Sequence, residues 1–490
     1  MQTRRKSMLG AIALFLCAAG IAFYTTHKHH TVVVTRTAAG FIPKTVLIHR
    51  GDTVRFVSTT GAPFWPLSDP HSSQGISLAF DPGRALTPNE QWSFTFEQAG
   101  VWNFHDRLLA EMRGSVLVEG EKDESVKNCL SSSQDTTKGY CWATEITATI
   151  KQEGLSAGFD SVHDYYETSL EFQNQCHDVM HVLGSATYSE YKKTGTHIAR
   201  QETSYCGYGF YHGFMEQMLV ELGRDYLHEA NSYCIGLLID PALPSRAAGH
   251  SAAAACFHGI GHALLDSLPA TIWGNDKAMT AEATIECEAV TDEPQWRVRC
   301  VSGVFNSLSN AEGSKNYSLS YSVSDPTALC RTQKAEYQQS CYNELAIGYT
   351  HYANYSDTEA LSLIAHLPGD AKYWSLMAYF DDTVRHNLQD KTLAQLYEET
   401  VAFPEEKERE AVIDGVANAL SSGGKPGGEY LQMLTYCSLF PISNARTHCY
   451  RRTIDTLSAL YSNTALSAIC KTIPVGDQAV CTSSLRTKNL

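Results

Sequence analysis

The spacing of the cysteines is the feature that most limits how this chain can fold. The sequence contains 15 cysteines, and all but Cys17 lie beyond residue 128, so an even number remains for pairing. Closing short loops with disulfides stabilises a fold by about 2–4 kcal/mol each, and such pairing is typical of oxidising compartments. The simplest pairing joins sequential neighbours: Cys129–Cys141, Cys176–Cys206, Cys234–Cys256, Cys287–Cys300, Cys330–Cys341, Cys437–Cys449 and Cys470–Cys481.

The segments around these cysteines repeat one pattern. A stretch of helical period ends near one cysteine, a polar loop follows, and the next cysteine opens another helical stretch, as in "ECEAVTDEPQWRVRCVSGVFNSL" and "YCSLFPISNARTHCYRRTIDTL". A disulfide across such a loop would staple a helical hairpin, and stacked hairpins form a solenoid-like array. We therefore predict an all-α, disulfide-stapled helical repeat domain over residues 129–490.

The N-terminus predicts export. Arg4, Arg5 and Lys6 precede the uncharged run "SMLGAIALFLCAAGIAFYTT", and basic residues favour the cytoplasmic side of a membrane. The run is close to the shortest length that spans a bilayer. We expect residues 1–30 to form a cytoplasmic tip and membrane anchor, with the bulk of the chain in the periplasm or outside the cell. A cleaved signal peptide is the alternative.

Composition restricts the partners. The chain has 490 residues and 43% hydrophobic residues, enough for more than one packed domain, and its net charge is −15. A nucleic-acid partner is not expected, because binding phosphates requires a basic surface. We expect the membrane as a partner through the anchor, and possible contact with a protein or redox partner outside the cytoplasm.

The sequence pattern of residues 31–120 is typical of a β-sandwich. Stretches such as "TVVVTRT", "TVLIHRGDTVRFVS" and "GSVLVEG" combine β-branched and aromatic residues, with turn signals between them. A charged, polar linker follows over residues 121–128. The expected fold class is therefore multidomain: an N-terminal membrane anchor, an all-β sandwich and an all-α repeat domain.

The β region resembles the cupredoxin family of small copper proteins. The matching pieces are "FIPKTVLIHRGDTVRFVS", "FWPLSDPH" and "FEQAGVWNFHDRLLAEMRGSVLV". The resemblance implies a cupredoxin-like sandwich and suggests copper binding or electron transfer. It places His71 at the position of the first histidine ligand and Met112 at the axial position. Asp106 occupies the position of the copper-binding cysteine, which weakens electron transfer as a role for this domain.

A thiolate-bound copper centre is excluded here, because no cysteine lies between Cys17 and Cys129. The remaining candidate ligands are His71, His105 and Asp106. Imidazole and carboxylate groups suit a colourless copper(II), zinc or iron site. The alternative is a metal-free cupredoxin-like module that serves as a spacer or a docking unit.

Three segments of the helical region each carry two ligand-type residues four positions apart. They are "CHDVMHVLG", "CGYGFYHGFMEQM" and "CFHGIGHALL". Residues at this spacing lie on the same helical face and can bind one metal ion. The predicted ligands are His177, His181, His212, Glu216, His258 and His262.

The second and third segments also share a register. Glycine follows Cys206 and Cys256 by three positions and histidine by six, and the segment after Cys300 has Asn306 where the others have histidine. Glycines beside the histidines would let the helices approach closely enough for the side chains to converge. Haem bound between histidines is another use of such residues, but no C-x-x-C-H attachment motif is present.

These patterns predict a membrane-anchored, extracytoplasmic protein that binds a transition metal, with copper, iron and zinc all open, in redox or metal-handling work. Whether it is an enzyme, a metal chaperone or a sensor stays open. The alternative is a non-enzymatic helical scaffold in which the histidines make structural hydrogen bonds. The C-terminal third contains no cluster of candidate ligands and is expected to complete the array.

Overall fold

The computed structural model shows a small β region followed by a mostly helical region, as the sequence predicts. The described residues are 29–37, 40–69, 80–96, 100–119, 135–196, 198, 200–243, 246–313, 317, 319, 325, 327–351, 356–386, 391–422, 428, 430–458 and 461–487. Residues 1–28 of the predicted tip and anchor, and the linker 121–128, therefore lie outside the described residues. In the part that is described, no helix is both long and apolar enough to cross a membrane.

The β region is a sandwich of two four-stranded sheets. One sheet has the order β2-β1-β4-β6 and the other β3-β8-β7-β5. Side chains alternate across the sheets: in β4, Val54 and Phe56 are buried whereas Arg55 between them is exposed. The strands are β1 (Thr31–Thr37), β2 (Gly40–Ile42), β3 (Thr45–His49), β4 (Thr53–Ser58), β5 (Pro66–Asp69), β6 (Trp92–Thr95), β7 (Gly100–Asp106) and β8 (Leu109–Glu119).

Helices account for most of the chain from Asp135 onward. Several begin at an N-cap side chain, as at Ser356 and Thr392, where a capping box binds the first free backbone N–H groups. The first helices are α1 (Asp135–Glu153), α2 (Leu155–Thr168), α3 (Leu170–Thr194), α4 (Tyr205–Leu222), α5 (Leu227–Gly236), α6 (Arg246–Asp266), α7 (Asp276–Val290), α8 (Pro294–Gly313) and α9 (Ala335–His351). The others are α10 (Asp357–Ala365), α11 (Gly369–His386), α12 (Leu393–Val401), α13 (Glu406–Ser422), α14 (Tyr430–Leu439), α15 (Asn444–Leu457), α16 (Asn463–Cys470) and α17 (Gln478–Thr487).

The longer helices form a continuous central series. In the order α3, α4, α6, α8, α9, α11, α13, α15 and α17, each helix packs against the next, and shorter helices lie between them. Helix α11 also contacts α3, and α13 contacts α4. The series therefore returns to its starting point after six central helices. Residues that are far apart in the chain therefore come close together where α11 and α13 pack against α3 and α4.

The predicted sequential disulfides are confirmed for six pairs. Several connect the end of one helical segment to the first turns of the next, as between α7 and α8, whereas Cys176–Cys206 joins the first turns of α3 and α4. Cys141 is also disulfide-bonded, but its predicted partner Cys129 lies outside the described residues. The six pairs are Cys176–Cys206, Cys234–Cys256, Cys287–Cys300, Cys330–Cys341, Cys437–Cys449 and Cys470–Cys481. They are typical of an oxidising environment outside the cytoplasm.

The β region is attached to the helices through a buried arginine. Arg107, in the turn between β7 and β8, lies 3.9 Å from the ring centre of Tyr317 and 4.8 Å from that of Trp65. Its guanidinium also pairs with Asp266 at the end of α6, at 3.4 Å. Tyr317 and Ser307 donate hydrogen bonds to the same carboxylate oxygen, at 2.7 and 3.1 Å. The pair is almost fully shielded from solvent, so the two regions share one buried polar contact.

Candidate metal centre

Glycines bring α3, α4 and α6 close enough for their histidines to meet, as the sequence predicts. A Cβ atom added to Gly213 would come within 2.1 Å of the carbonyl oxygen of His181. One added to Gly209 would lie 2.4 Å from the carbonyl oxygen of His177. Gly259 is equally constrained, because its Cβ would lie 2.8 Å from the Cα of His212. Larger residues at these positions would force the helices apart.

The start of α4 has an unusual backbone. Cys206, Gly207 and Tyr208 all have positive φ angles, between 56° and 66°, and form a left-handed turn. Each non-glycine residue in this conformation costs about 1–2 kcal/mol. The disulfide to Cys176 fixes this turn against α3, and the carbonyl oxygen of Cys206 lies 2.8 Å from Nδ1 of His177. The strained turn therefore holds one of the predicted ligands in position.

The five predicted histidines form two overlapping groups of three. His177, His181 and His212 make one group, and His212, His258 and His262 make the other. Within each group, one nitrogen of each ring lies within 4.8 Å of the others. Metal–nitrogen bonds of about 2.1 Å place opposite nitrogens about 4.2 Å apart. Small side-chain rotations would thus bring either group to bonding distance of an ion, so the residues fit a transition metal.

Glu216 lies behind two of these histidines. Its Oε2 is 3.1 Å from Nδ1 of His181, and its Oε1 is 3.3 Å from Nδ1 of His262. A carboxylate that accepts from Nδ1 orients an imidazole and leaves Nε2 for a metal. The sequence predicts Glu216 as a ligand, whereas this geometry favours a role in orienting two ligands.

Burial favours the neutral form of three of the histidines. It lowers the pKa of His177 to about 3, helped by the neighbouring His181. Burial also lowers the pKa values of His212 and His258, and the surrounding histidines lower them further. For Glu216, burial alone would raise the pKa, but His181 and His262 hold it well below its usual range. Neutral imidazoles can bind a metal without first releasing a proton.

His212 is central to both groups. Its ring centre lies 5.0 Å from that of His177 and 4.9 Å from that of His258. Its Nδ1 is buried, and no hydrogen-bond partner for this atom occurs among the described residues. A buried polar atom of this kind is unfavourable unless it binds something. A metal ion would satisfy it.

Sequence reasoning missed a carboxylate layer beside the histidines. Glu344 on α9 accepts hydrogen bonds from Ser302 at 2.7 Å and from Asn306 at 2.8 Å. Asp266 lies one helical turn beyond His262. Burial raises the pKa values of both Glu344 and Asp266. The sequence contained part of this information, because Asn306 occupies the position at which the preceding repeats have histidine. The spacing along the chain did not identify Glu344 on α9 as its hydrogen-bond partner.

The candidate ligands of the β region are placed differently. His71 lies outside the described residues, and His105 is buried in β7. Asp106 is fully buried, and its Oδ2 lies 3.2 Å from Nε of Arg36. Its Oδ1 accepts hydrogen bonds from the backbone of Trp65 and Leu108, at 2.9 and 3.1 Å. Both oxygens are engaged by donors within the sandwich, which favours a structural role for Asp106. Met112, at the predicted axial position, packs against the β core.

Comparison with known proteins gives limited similarities. No family model matches the chain, and no curated protein matches it either. Amicyanin from Paracoccus versutus is 28% identical, over 18% of this chain and 81% of that protein, with a TM-score of 0.16. A purple cupredoxin from Nitrosopumilus maritimus is 18% identical, over 18% of this chain and 99% of that protein, also with a TM-score of 0.16. These weak similarities concern the N-terminal region and carry no conclusion about ligands or activity.

Proposed function

We propose that this is an extracytoplasmic metalloprotein whose helical region binds a transition metal through His177, His181, His212, His258 and His262. One observation carries the proposal: two groups of three histidines, from three helices, share His212 in a largely buried cluster. A single histidine pair that faced solvent would not need to converge with histidines from two other helices. The close glycine contacts and the strained turn at Cys206, Gly207 and Tyr208 fix the helix backbones that carry these histidines.

The ligand chemistry limits the choice of metal. Imidazole nitrogens suit copper, iron and zinc, and the cluster contains no thiolate, because its nearest cysteines are in disulfides. When bound, the metal would supply Lewis-acid or redox chemistry. Glu216 would fix the two rings of His181 and His262, and the helices would exclude most of the surrounding water. We place this chemistry in redox or metal-handling work outside the cytoplasm, and propose that the N-terminal run anchors the chain to the membrane.

The test is the metal content of the protein. The full-length chain, produced with its disulfides intact, is dialysed against copper, zinc or iron, and bound metal is counted by mass spectrometry. We expect one or two ions per chain in the wild type. The double variant His258→Ala/His262→Ala should lose at least one of them. His448→Gln is the matched control, because His448 lies on α15 and pairs with Asp414 at 2.7 Å, away from the cluster.

A non-enzymatic scaffold is the competing function. That function also includes a β region that binds no metal. The hydrogen bonds that the Asp106 carboxylate already accepts within the sandwich support this part of it. Under that reading, His258→Ala/His262→Ala would lower stability while metal content stayed at zero in both proteins. A folded wild type that takes up none of the three metals would refute the metalloprotein proposal.

A further inference from the structure

The histidine cluster is open along one edge. His181, His212 and His262 are buried, whereas His177 and His258 are only partly buried. Gly207, next to His177, is exposed and has a φ angle of +66°. A ligand that reaches the cluster from outside would therefore arrive beside His177 and His258.

An arginine from a distant helix borders this edge. Arg385 lies on α11, which returns to pack against α3. A Cβ placed on Gly207 would lie 3.6 Å from Nδ1 of His177 and 3.7 Å from Nη1 of Arg385. The imidazole of His177 and the guanidinium of Arg385 thus both lie close to Gly207. Because glycine has no side chain, none fills the space between these two groups.

The hydrogen bonds of Arg385 are incomplete. Its Nη2 pairs with Asp381, one helical turn earlier. Its Nε is buried, and no hydrogen-bond partner for this atom occurs among the described residues. A buried donor without an acceptor is unfavourable. At the open edge itself, the group within reach of a bound acceptor is Nη1, which borders Gly207.

A second arginine contributes positive charge near His258. Arg299, on α8, acts electrostatically on His258 and on Glu344. Burial and the histidines are the larger influences on His258, and the positive charge of Arg299 acts in the same direction. Arg385 thus borders His177, and the charge of Arg299 reaches His258. A bound metal cation would add to this positive charge, which Asp381 and Asp382 partly offset at Arg385 and Glu344 partly offsets at Arg299.

We propose that this edge binds a small anion with a carboxylate or oxyanion group, held by Arg385 beside His177. The inference rests on the proposed function and specifies the class of ligand or substrate. Planar guanidinium groups bind such anions through two parallel hydrogen bonds. The anion would accept hydrogen bonds from Arg385 and would be attracted by the charge of a metal bound to the histidine cluster, so Arg385 acts as a specificity-determining residue.

Isothermal titration calorimetry with acetate and with inorganic phosphate tests the proposal, in the metal-loaded and in the metal-free full-length protein. We expect at least one of the two anions to bind, more tightly when metal is present. Arg385→Gln should weaken that binding at least ten-fold in both forms, and Arg385→Lys should recover part of the loss. Arg299→Gln, at an exposed position, should weaken it about three-fold.

Arg452→Gln is the matched control. Arg452 is a partly buried arginine of the same array, but it donates to Asn418 and lies near Asp414. It should leave anion affinity unchanged. Anion affinities that are equal in wild type and Arg385→Gln, or a wild type that binds neither probe, would overturn the proposal. If the wild type takes up no metal, the proposed function fails, while the metal-free titration still decides the role of Arg385.

Discussion

The two halves of the helical array are built alike but carry different chemistry. The first half, α1 to α9, has one hydrophobic core, and the second half, α10 to α17, has another. Both use disulfides between neighbouring helices, and both contain glycines that meet a backbone carbonyl. Gly261 would place a Cβ 1.9 Å from the carbonyl oxygen of Cys300, and Gly415 would place one 2.3 Å from that of Met377.

The polar groups inside the two halves differ. In the second half, Asp414 accepts hydrogen bonds from Tyr373 at 2.6 Å and from His448 at 2.7 Å, and Arg452 lies 3.8 Å away. Both oxygens of Asp414 are thus engaged by donors within the protein. In the first half, histidines face other histidines, and Glu216 engages only two of them. The comparison teaches that close helix packing provides the site, whereas the choice of inner side chains decides whether it can hold a metal.

Alanine at a close-contact glycine should have the largest effect and should separate the two halves. Gly261→Ala forces α6 away from α8, and overpacking of this severity costs about 3 kcal/mol. We expect that loss in the free energy of unfolding, together with loss of bound metal. Gly415→Ala should cost a similar amount but keep the metal, because it separates α11 from α13. Denaturant unfolding and metal counting measure both effects. Equal metal loss in the two variants would show that the site depends on the whole array.

Much of this architecture could be predicted from sequence, because it depends on local spacing. Cysteine pairs marked where helices begin and end, and histidines four residues apart had to share a helical face. The glycines next to them indicated close packing, and the contacts of Gly209, Gly213 and Gly259 confirm it. Gly207 differs, since it has no close backbone neighbour and is required by its positive φ angle instead.

The rest depends on which faces of distant helices meet, and spacing along the chain does not specify that. Arg385 reaches His177 only because the central series closes on itself after six helices. Glu216 has the spacing of a ligand, yet its position behind two rings follows from the packing of α3, α4 and α6. Arg107 and Asp266 form an ion pair between the β region and the helices, and no motif in either sequence predicts that they meet.

Removing Arg107 should have an intermediate effect that is confined to the first half. The β region contacts the first core through Trp65 and Leu67, which pack with its helices. Arg107→Met would leave Asp266 buried with only Tyr317 and Ser307 as donors, at a cost of about 2 kcal/mol. We expect the unfolding transition of the first half to shift and that of the second half to stay.

Two controls accompany this variant. Arg84→Met removes an exposed arginine of the β region that pairs with Glu90, and it should change stability little. Adding Asp266→Asn to Arg107→Met should cost less than the two single changes together, because the unpaired carboxylate is then absent. Strict additivity of the two changes would show that the arginine and the carboxylate are not coupled.

Acidification should again distinguish the halves. In metal-free protein, burial lowers the pKa of His177 to about 3 and lowers those of His212 and His258 as well. A histidine with a lowered folded-state pKa stabilises the protein above its unfolded pKa of about 6.5. That stability is lost as the pH falls below 6.5 toward the folded value, by about 1 kcal/mol per pH unit for each histidine.

The second half should respond only at lower pH. Burial alone would raise the pKa of Asp414, but the hydrogen bond from His448, the charge of Arg452 and the hydrogen bond from Tyr373 lower it. Its contribution is therefore present above an unfolded pKa of about 3.9 and is lost only below it. Between pH 7 and pH 5, His212→Gln should flatten the decline in unfolding free energy, whereas Asp414→Asn should leave its slope unchanged. If the metal-free wild type is equally stable at pH 7 and pH 5, the histidines are not held neutral by burial, and the contrast between the two halves fails.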